Sequence, residues 1–167
     1  MTATTPMSAH AHIPPRGGQS LHVLGDLIHV KVTAAQTAGA FSMFEIIAPP
    51  GGGPPLHRHP PCEAFHILDG TLIILGADNA QTPAGPGDTV FVAANAPHSY
   101  HNPGPGNARF IVTLAPGGLE AFFADLGEPA GDATAPHPLT GPPDLEHVIA
   151  ITERHGIEIL HGPPPAP

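Results

Sequence analysis

The stretch GGGPPLHRHPPCEAFHILDG, Gly51 to Gly70, places three histidines and a glutamate between glycine–proline turns. His57 and His59 are two apart. On a strand that spacing puts both imidazoles on one face, about 7 Å apart along the chain. Two imidazoles that converge on a cation need such an arrangement. Pro60–Pro61 then breaks the strand and removes two backbone donors. Glu63 therefore re-enters at a new angle and can bring a carboxylate to the same point. Beyond the break, alternation assigns Glu63, Phe65 and Ile67 to one face and Ala64, His66 and Leu68 to the other. His66 points away from Glu63 and is set aside as a ligand.

The surroundings read as strands. SLHVL and DLIHVKV flank a hairpin-like break at Gly25–Asp26, and GAFSMFEIIA (39–48), TLIIL (71–75), TVFVA (89–93), HSYHN (98–102) and ARFIVTLA (108–115) follow. About eight short strands at roughly ten-residue spacing predict a β-sandwich or barrel. The period then changes. Leu119, Phe122, Phe123 and Leu126 stand at i, i+3, i+4 and i+7, an amphipathic helix ended by Gly127. A second helix is predicted over DLEHVIAITERHG, with Asp144 as N-cap, Gly156 as C-cap and an inner stripe of Leu145, Val148, Ile149 and Thr152. The expected organisation is a flexible arm over 1–18, a barrel over 19–116 and a helical C-terminal extension over 117–167. That extension would pack on the barrel or on a partner subunit. The His10/His12 pair in the arm has no carboxylate or third histidine nearby and is not read as a metal site.

Composition narrows the function classes. Five Lys and Arg stand against 14 Asp and Glu, a formal charge of −9. No basic patch is available for nucleic-acid phosphates or an anionic membrane surface, so neither is expected as a partner. The 24 prolines and 20 glycines fall between apolar runs, as turns joining strands would. Cys62 is the only cysteine, so no intramolecular disulfide can form; it is read as a buried apolar thiol. The first twenty residues lack a continuous apolar core, and no apolar run reaches spanning length, so a cytoplasmic protein is expected. There is no P-loop, no G-x-S-x-G and no dinucleotide fingerprint.

A further ligand must come from a distant strand. His98 opens HSYHN directly after the turn AANAP and shares a face with Tyr100 and Asn102, whereas Ser99 and His101 share the other. At this point the residues resemble the cupin family. Gly51-x5-His57-x-His59-x3-Glu63-x6-Gly70 matches its first motif at every position. Gly87-x5-Ala93-x-Asn95-x2-His98-x3-Asn102 matches the second at Gly87, His98 and Asn102. It departs at Ala93, where the motif has Pro, and at Asn95, where it has Gly. Asn tolerates positive φ better than most residues, so the turn at 95 is expected to survive. The tail and the run PPGGGPPLHRH further resemble small single-domain cupins of the quercetin-dioxygenase-like kind.

The resemblance implies a mainly β fold, a double-stranded β-helix or jelly-roll barrel, with two short C-terminal helices. It implies His57, His59, Glu63 and His98 as ligands of one divalent transition metal ion. Mixed N/O ligation suits Fe, Mn, Ni, Co, Cu or Zn. Three neutral imidazoles and one carboxylate leave a net charge near +1, and six-coordination leaves positions open for substrate, as in catalytic sites. Glu63 could also accept a substrate proton. Phe44, Phe65, Phe91 and Tyr100 are the expected walls of a cavity for a flat small molecule. The leading expectation is a metal-dependent dioxygenase acting on an enolisable, flavonol-like aromatic. A metal-dependent isomerase or cyclase and a non-catalytic binding protein are the alternatives, since one fold hosts many chemistries. Such cupins are commonly dimers, so a homodimer is expected.

Overall fold

The computed structural model describes residues 10–131 and 133–160. Residues 1–9, half of the expected arm, and His161 lie outside these residues; His10 and His12 are exposed.

The first hairpin pairs β1 (Ser20–Val23) with β2 (Asp26–Val32). Its turn is Leu24–Gly25, one residue earlier than the break read from the sequence. Both turn residues have positive φ, +48° and +99°, the combination a two-residue turn of right-twisted strands requires. The chain continues through β3 (Ser42–Ala48), β4 (His57–Arg58), β5 (Cys62–Asp69), β6 (Leu72–Gly76), β7 (Gln81–Ala84), β8 (Thr89–Val92), β9 (His98–His101) and β10 (Ala108–Ala115). The tail adds α1 (Glu120–Leu126), β11 (Glu128–Pro129), α2 (Leu145–Arg154) and β12 (Glu158–Ile159).

Twelve strands form two antiparallel sheets among the described residues. One has seven strands in the order β11-β1-β2-β3-β10-β5-β8, the other five in the order β12-β4-β9-β6-β7. Together they make a jelly roll. The sequence suggested about eight strands; the two-residue strands β4, β11 and β12 are too short to leave a period, and β7 lies in a stretch whose residues read as a turn. Between the sheets, Phe44, Phe65, Phe110, Ile67, Val112 and Leu114 from one face Leu72, Ile74 and Tyr100 from the other in a single buried cluster. Alternation along β10 shows the cause. Ala108, Phe110, Val112 and Leu114 are buried, while Arg109, Ile111 and Thr113 are not.

The break at Pro60–Pro61 is where the chain changes sheet. β4 belongs to the five-stranded sheet and β5 to the seven-stranded one. His57 and Glu63 thus approach one point from opposite walls.

The tail docks on the same barrel. β12 pairs with β4, Ile159 opposite His57, and β11 pairs with β1. Glu120 ties α1 down: its carboxylate accepts from the Ala34 amide at 2.6 Å and from the Ser42 hydroxyl at 2.6 Å. Asp144 caps α2 by accepting from the His147 amide, and Gly156 follows its end at φ +70°. The stripe read for α2 needs correction. Its buried face is Val148, Ile151 and Thr152, whereas Leu145 and Ile149 are exposed. The helix is turned so that Ile151, and not Ile149, faces the barrel.

Gly53 has a role the motif does not mark. At φ +148° it lies so close to β9 that an added Cβ would stand 1.9 Å from the Tyr100 carbonyl oxygen. Gly53→Ala should destabilise the fold by at least about 2 kcal/mol, through overlap with backbone that cannot move aside. Urea unfolding of the variant checks this; a wild-type midpoint would refute the close approach.

Candidate metal centre

β4 and the residue after its end carry His57 and His59, the start of β5 carries Glu63, and the start of β9 carries His98. His57 and His98 are directly opposed in the β4–β9 pair. The three imidazoles offer ring nitrogens that all lie within 4.8 Å of one another. Their ring centroids are 4.5 to 5.6 Å apart. His59, Glu63 and His98 are buried and His57 is half-buried. Glu63 Oε2 lies 2.7 Å from His98 Nε2 and 3.2 Å from His59 Nε2.

Each imidazole is oriented in the same way. His57 Nδ1 donates to the Pro55 carbonyl at 2.8 Å, His59 Nδ1 to Pro61 at 3.0 Å and His98 Nδ1 to Ala96 at 2.8 Å. With the proton fixed on Nδ1, a neutral ring presents the Nε2 lone pair inward, as metal-ligating histidines do. Lone pairs facing a carboxylate repel one another unless a cation stands between them. In metal-free protein a proton on Nε2 takes the cation's place and donates to Glu63. Burial would raise the Glu63 carboxyl, but hydrogen bonds from His59 and His98 prevail and hold it at about 2. Burial would lower His98, but Glu63 prevails and raises it. Burial, together with the neighbouring His98, pushes His57 down to about 4, so it stays neutral. The donor set of three imidazoles plus a carboxylate fits a divalent transition ion.

These residues open onto a cavity lined by Phe65, Tyr100, Phe122, Phe123, Leu119 and Leu126, with further apolar groups from both sheets and the tail. Two sequence-predicted walls need correction. Phe91 is 68% exposed, because on β8 it is Val90 and Val92 that turn inward. Phe44 is fully buried but does not line the cavity; it packs behind Phe123, edge to face at 4.9 Å. His66 is exposed and shares a hydrogen bond with Thr89 on the outer face of β5. Asn95 does adopt positive φ, +59°, in the turn before His98.

Sequence reasoning missed three contributors. Phe122 and Phe123 were legible as a helix stripe, but nothing indicated that the stripe would roof the cavity. Asp26 read only as a turn residue; it is buried, lines the cavity and accepts a hydrogen bond from the Tyr100 hydroxyl.

Residues 44–115 match the family described as Cupin domain. Quercetin 2,3-dioxygenase of Bacillus subtilis is 33% identical over 108 residues, which span 63% of this chain and 31% of that protein. The chain thus covers about a third of its curated relative's length. A protein described as a predicted oxalate decarboxylase from Thermotoga maritima has a similar structure, with a TM-score of 0.58 at 18% identity over 63% of this chain and 98% of its own. So does the polyketide cyclase RemF of Streptomyces resistomycificus, with a TM-score of 0.55 at 17% identity over 83% of this chain and 89% of its own. These structures share the fold. The motif residues gather at one point inside a jelly roll and the matched segment spans them: residues 44–115 of this chain form a cupin domain.

Proposed function

We propose that the chain is a metal-dependent dioxygenase acting on an enolisable aromatic small molecule of the flavonol kind. His57, His59, His98 and Glu63 would hold one divalent transition metal ion. The observation that carries this reading is the position of the cluster: three inward-facing imidazoles and a buried carboxylate at the wall of a cavity lined mainly by apolar and aromatic side chains. The similarity to quercetin 2,3-dioxygenase supports it.

When bound, the ion supplies a Lewis acid for an enol oxygen and a place for dioxygen. The chain's own residues do the rest. Glu63 would leave the ion to accept the enol proton on its carboxylate. Phe65, Phe122 and Phe123 take the flat body of the substrate, and their apolar surfaces keep water from the reacting atoms.

The test is metal analysis of protein purified without added metal, followed by oxygen-electrode assays with a panel of flavonols. Close to one equivalent of metal per chain, with oxygen taken up in step with flavonol loss, is expected. Metal without oxygen uptake, but with substrate rearranged, would replace the reading by a metal-dependent isomerase or cyclase. A protein that neither retains nor rebinds metal would overturn it.

A further inference from the structure

The cavity has a second polar end. Asp26 opens β2, is 6% exposed, and lines the same cavity as His57, His59, Glu63 and His98. The Tyr100 hydroxyl donates to its Oδ2. Its Oδ1 is buried with no hydrogen-bond partner among the described residues. The Phe65 ring stands between the two ends, with centroids 6.4 Å from His98 and 6.0 Å from Tyr100. The cavity wall contributed by this hairpin and its neighbour strand is apolar: Val23, which pairs with Asp26, Leu24, Ile28 and Ile46.

A carboxyl oxygen without a partner in an apolar wall costs stability, and native structures rarely leave one without a reason. Among the described residues one other buried side-chain atom, His22 Nδ1, lacks a hydrogen-bond partner. Ser42 and Asn102, by contrast, reach partners across 78 and 54 residues of chain. Burial raises the Asp26 carboxyl to about 7 against the opposing effect of Tyr100. The group can therefore accept or donate near neutral pH. The χ2 torsion of an aspartate is soft, so Oδ1 can be offered to the cavity that the residue lines.

We propose that Asp26 is a specificity-determining residue that hydrogen-bonds, through Oδ1, a hydroxyl on the part of an aromatic ligand remote from the histidine cluster. The ligand class this implies is a flat apolar body with oxygen functions at two separated points. One is met by the three histidines and Glu63, the other by Asp26 with Tyr100 behind it. This deepens the proposed function and rests on it for the identity of the aromatic body alone.

The experiment measures dissociation constants by calorimetry for matched probes that differ in hydroxylation. One pair is quercetin and the parent flavonol without ring hydroxyls; the other is naphthol and naphthalene. Full-length protein is used as purified. Wild type should prefer the hydroxylated member of at least one pair by about tenfold or more. Asp26→Leu, close in size and apolar, should abolish that preference while binding the unhydroxylated member as well as wild type does. Asp26→Asn, which keeps a polar group at the position, should retain part of it. The asparagine variant also keeps the test alive if the leucine variant fails to fold.

Discrimination in the naphthol pair without flavonol binding would end the flavonol reading and leave the Asp26 assignment standing. Flavonol binding with a hydroxyl preference that survives Asp26→Leu would overturn the assignment alone. Failure of all four probes to bind would overturn both.

Discussion

His98→Ala is expected to weaken metal binding by more than about 100-fold, and His66→Ala to leave it at the wild-type level. Loss of groups that merely orient metal ligands costs about 10- to 100-fold, so loss of one of three inward-facing imidazoles should exceed that range. His98 is also the partner of Glu63 at 2.7 Å, so its removal strips the buried carboxylate of its shorter contact. In metal-free protein, breaking such a buried pair should cost about 3 kcal/mol of stability or more. His66 lies three residues beyond Glu63, yet it is exposed and meets only Thr89 across the outer face. Metal content by mass spectrometry, chelator competition and urea unfolding read both variants. Loss of metal in His66→Ala with retention in His98→Ala would reverse the facing argument.

Glu63→Gln should lower turnover by about 10²- to 10⁴-fold if Glu63 accepts the substrate proton, because the amide keeps the size and loses the basicity. The variant also has a consequence that needs no substrate. In metal-free protein the Glu63 carboxyl is held at about 2 against an ordinary 4.5. A lowered carboxylate contributes stability that is present above 4.5 and is lost as pH falls towards 2, here about 3 kcal/mol. His98, raised by the same carboxylate, is the other end of that interaction and is counted once with it. Its contribution is complete below 6.5 and is lost as pH rises through its raised value. Glu63→Gln should flatten both limbs of the stability profile and let His98 titrate lower. His57, held at about 4, should stay neutral through most of this range. Unfolding between pH 2 and pH 8, with imidazole titrations by NMR, checks it. An unchanged acid limb would show that Glu63 is not the group responsible.

The strands that carry the three histidines and Glu63 were the most legible part of the chain, for a physical reason. A strand with one buried face writes its orientation into every second residue, so Glu63, Phe65 and Ile67 declare themselves together and His66 falls out by parity. The same logic failed at Phe91. Its neighbours Val90 and Val92 are also apolar, and an edge strand carrying three apolar residues in a row has no polar partner to fix the phase. It failed again on α2, where Leu145, Val148, Ile149, Ile151 and Thr152 offer more than one plausible stripe. Packing against the barrel chose the face that includes Ile151.

The jelly-roll class and the four-ligand set came from the resemblance to cupins; by itself the sequence determined a β-sandwich or barrel, the break at Pro60–Pro61 and the choice of His98 over His101 and of Glu63 over His66. These follow from local rules: alternation, proline's missing donor and glycine or asparagine at positive φ. Only the tertiary structure decided what encloses the site. The closure by Phe122 and Phe123, the pairing of Ile159 with His57 across 102 residues, and the meeting of Asp26 with Tyr100 across 74 all join segments that share no local signal. Such contacts depend on where whole elements dock, and docking is set by the summed burial of many side chains, which no short stretch records.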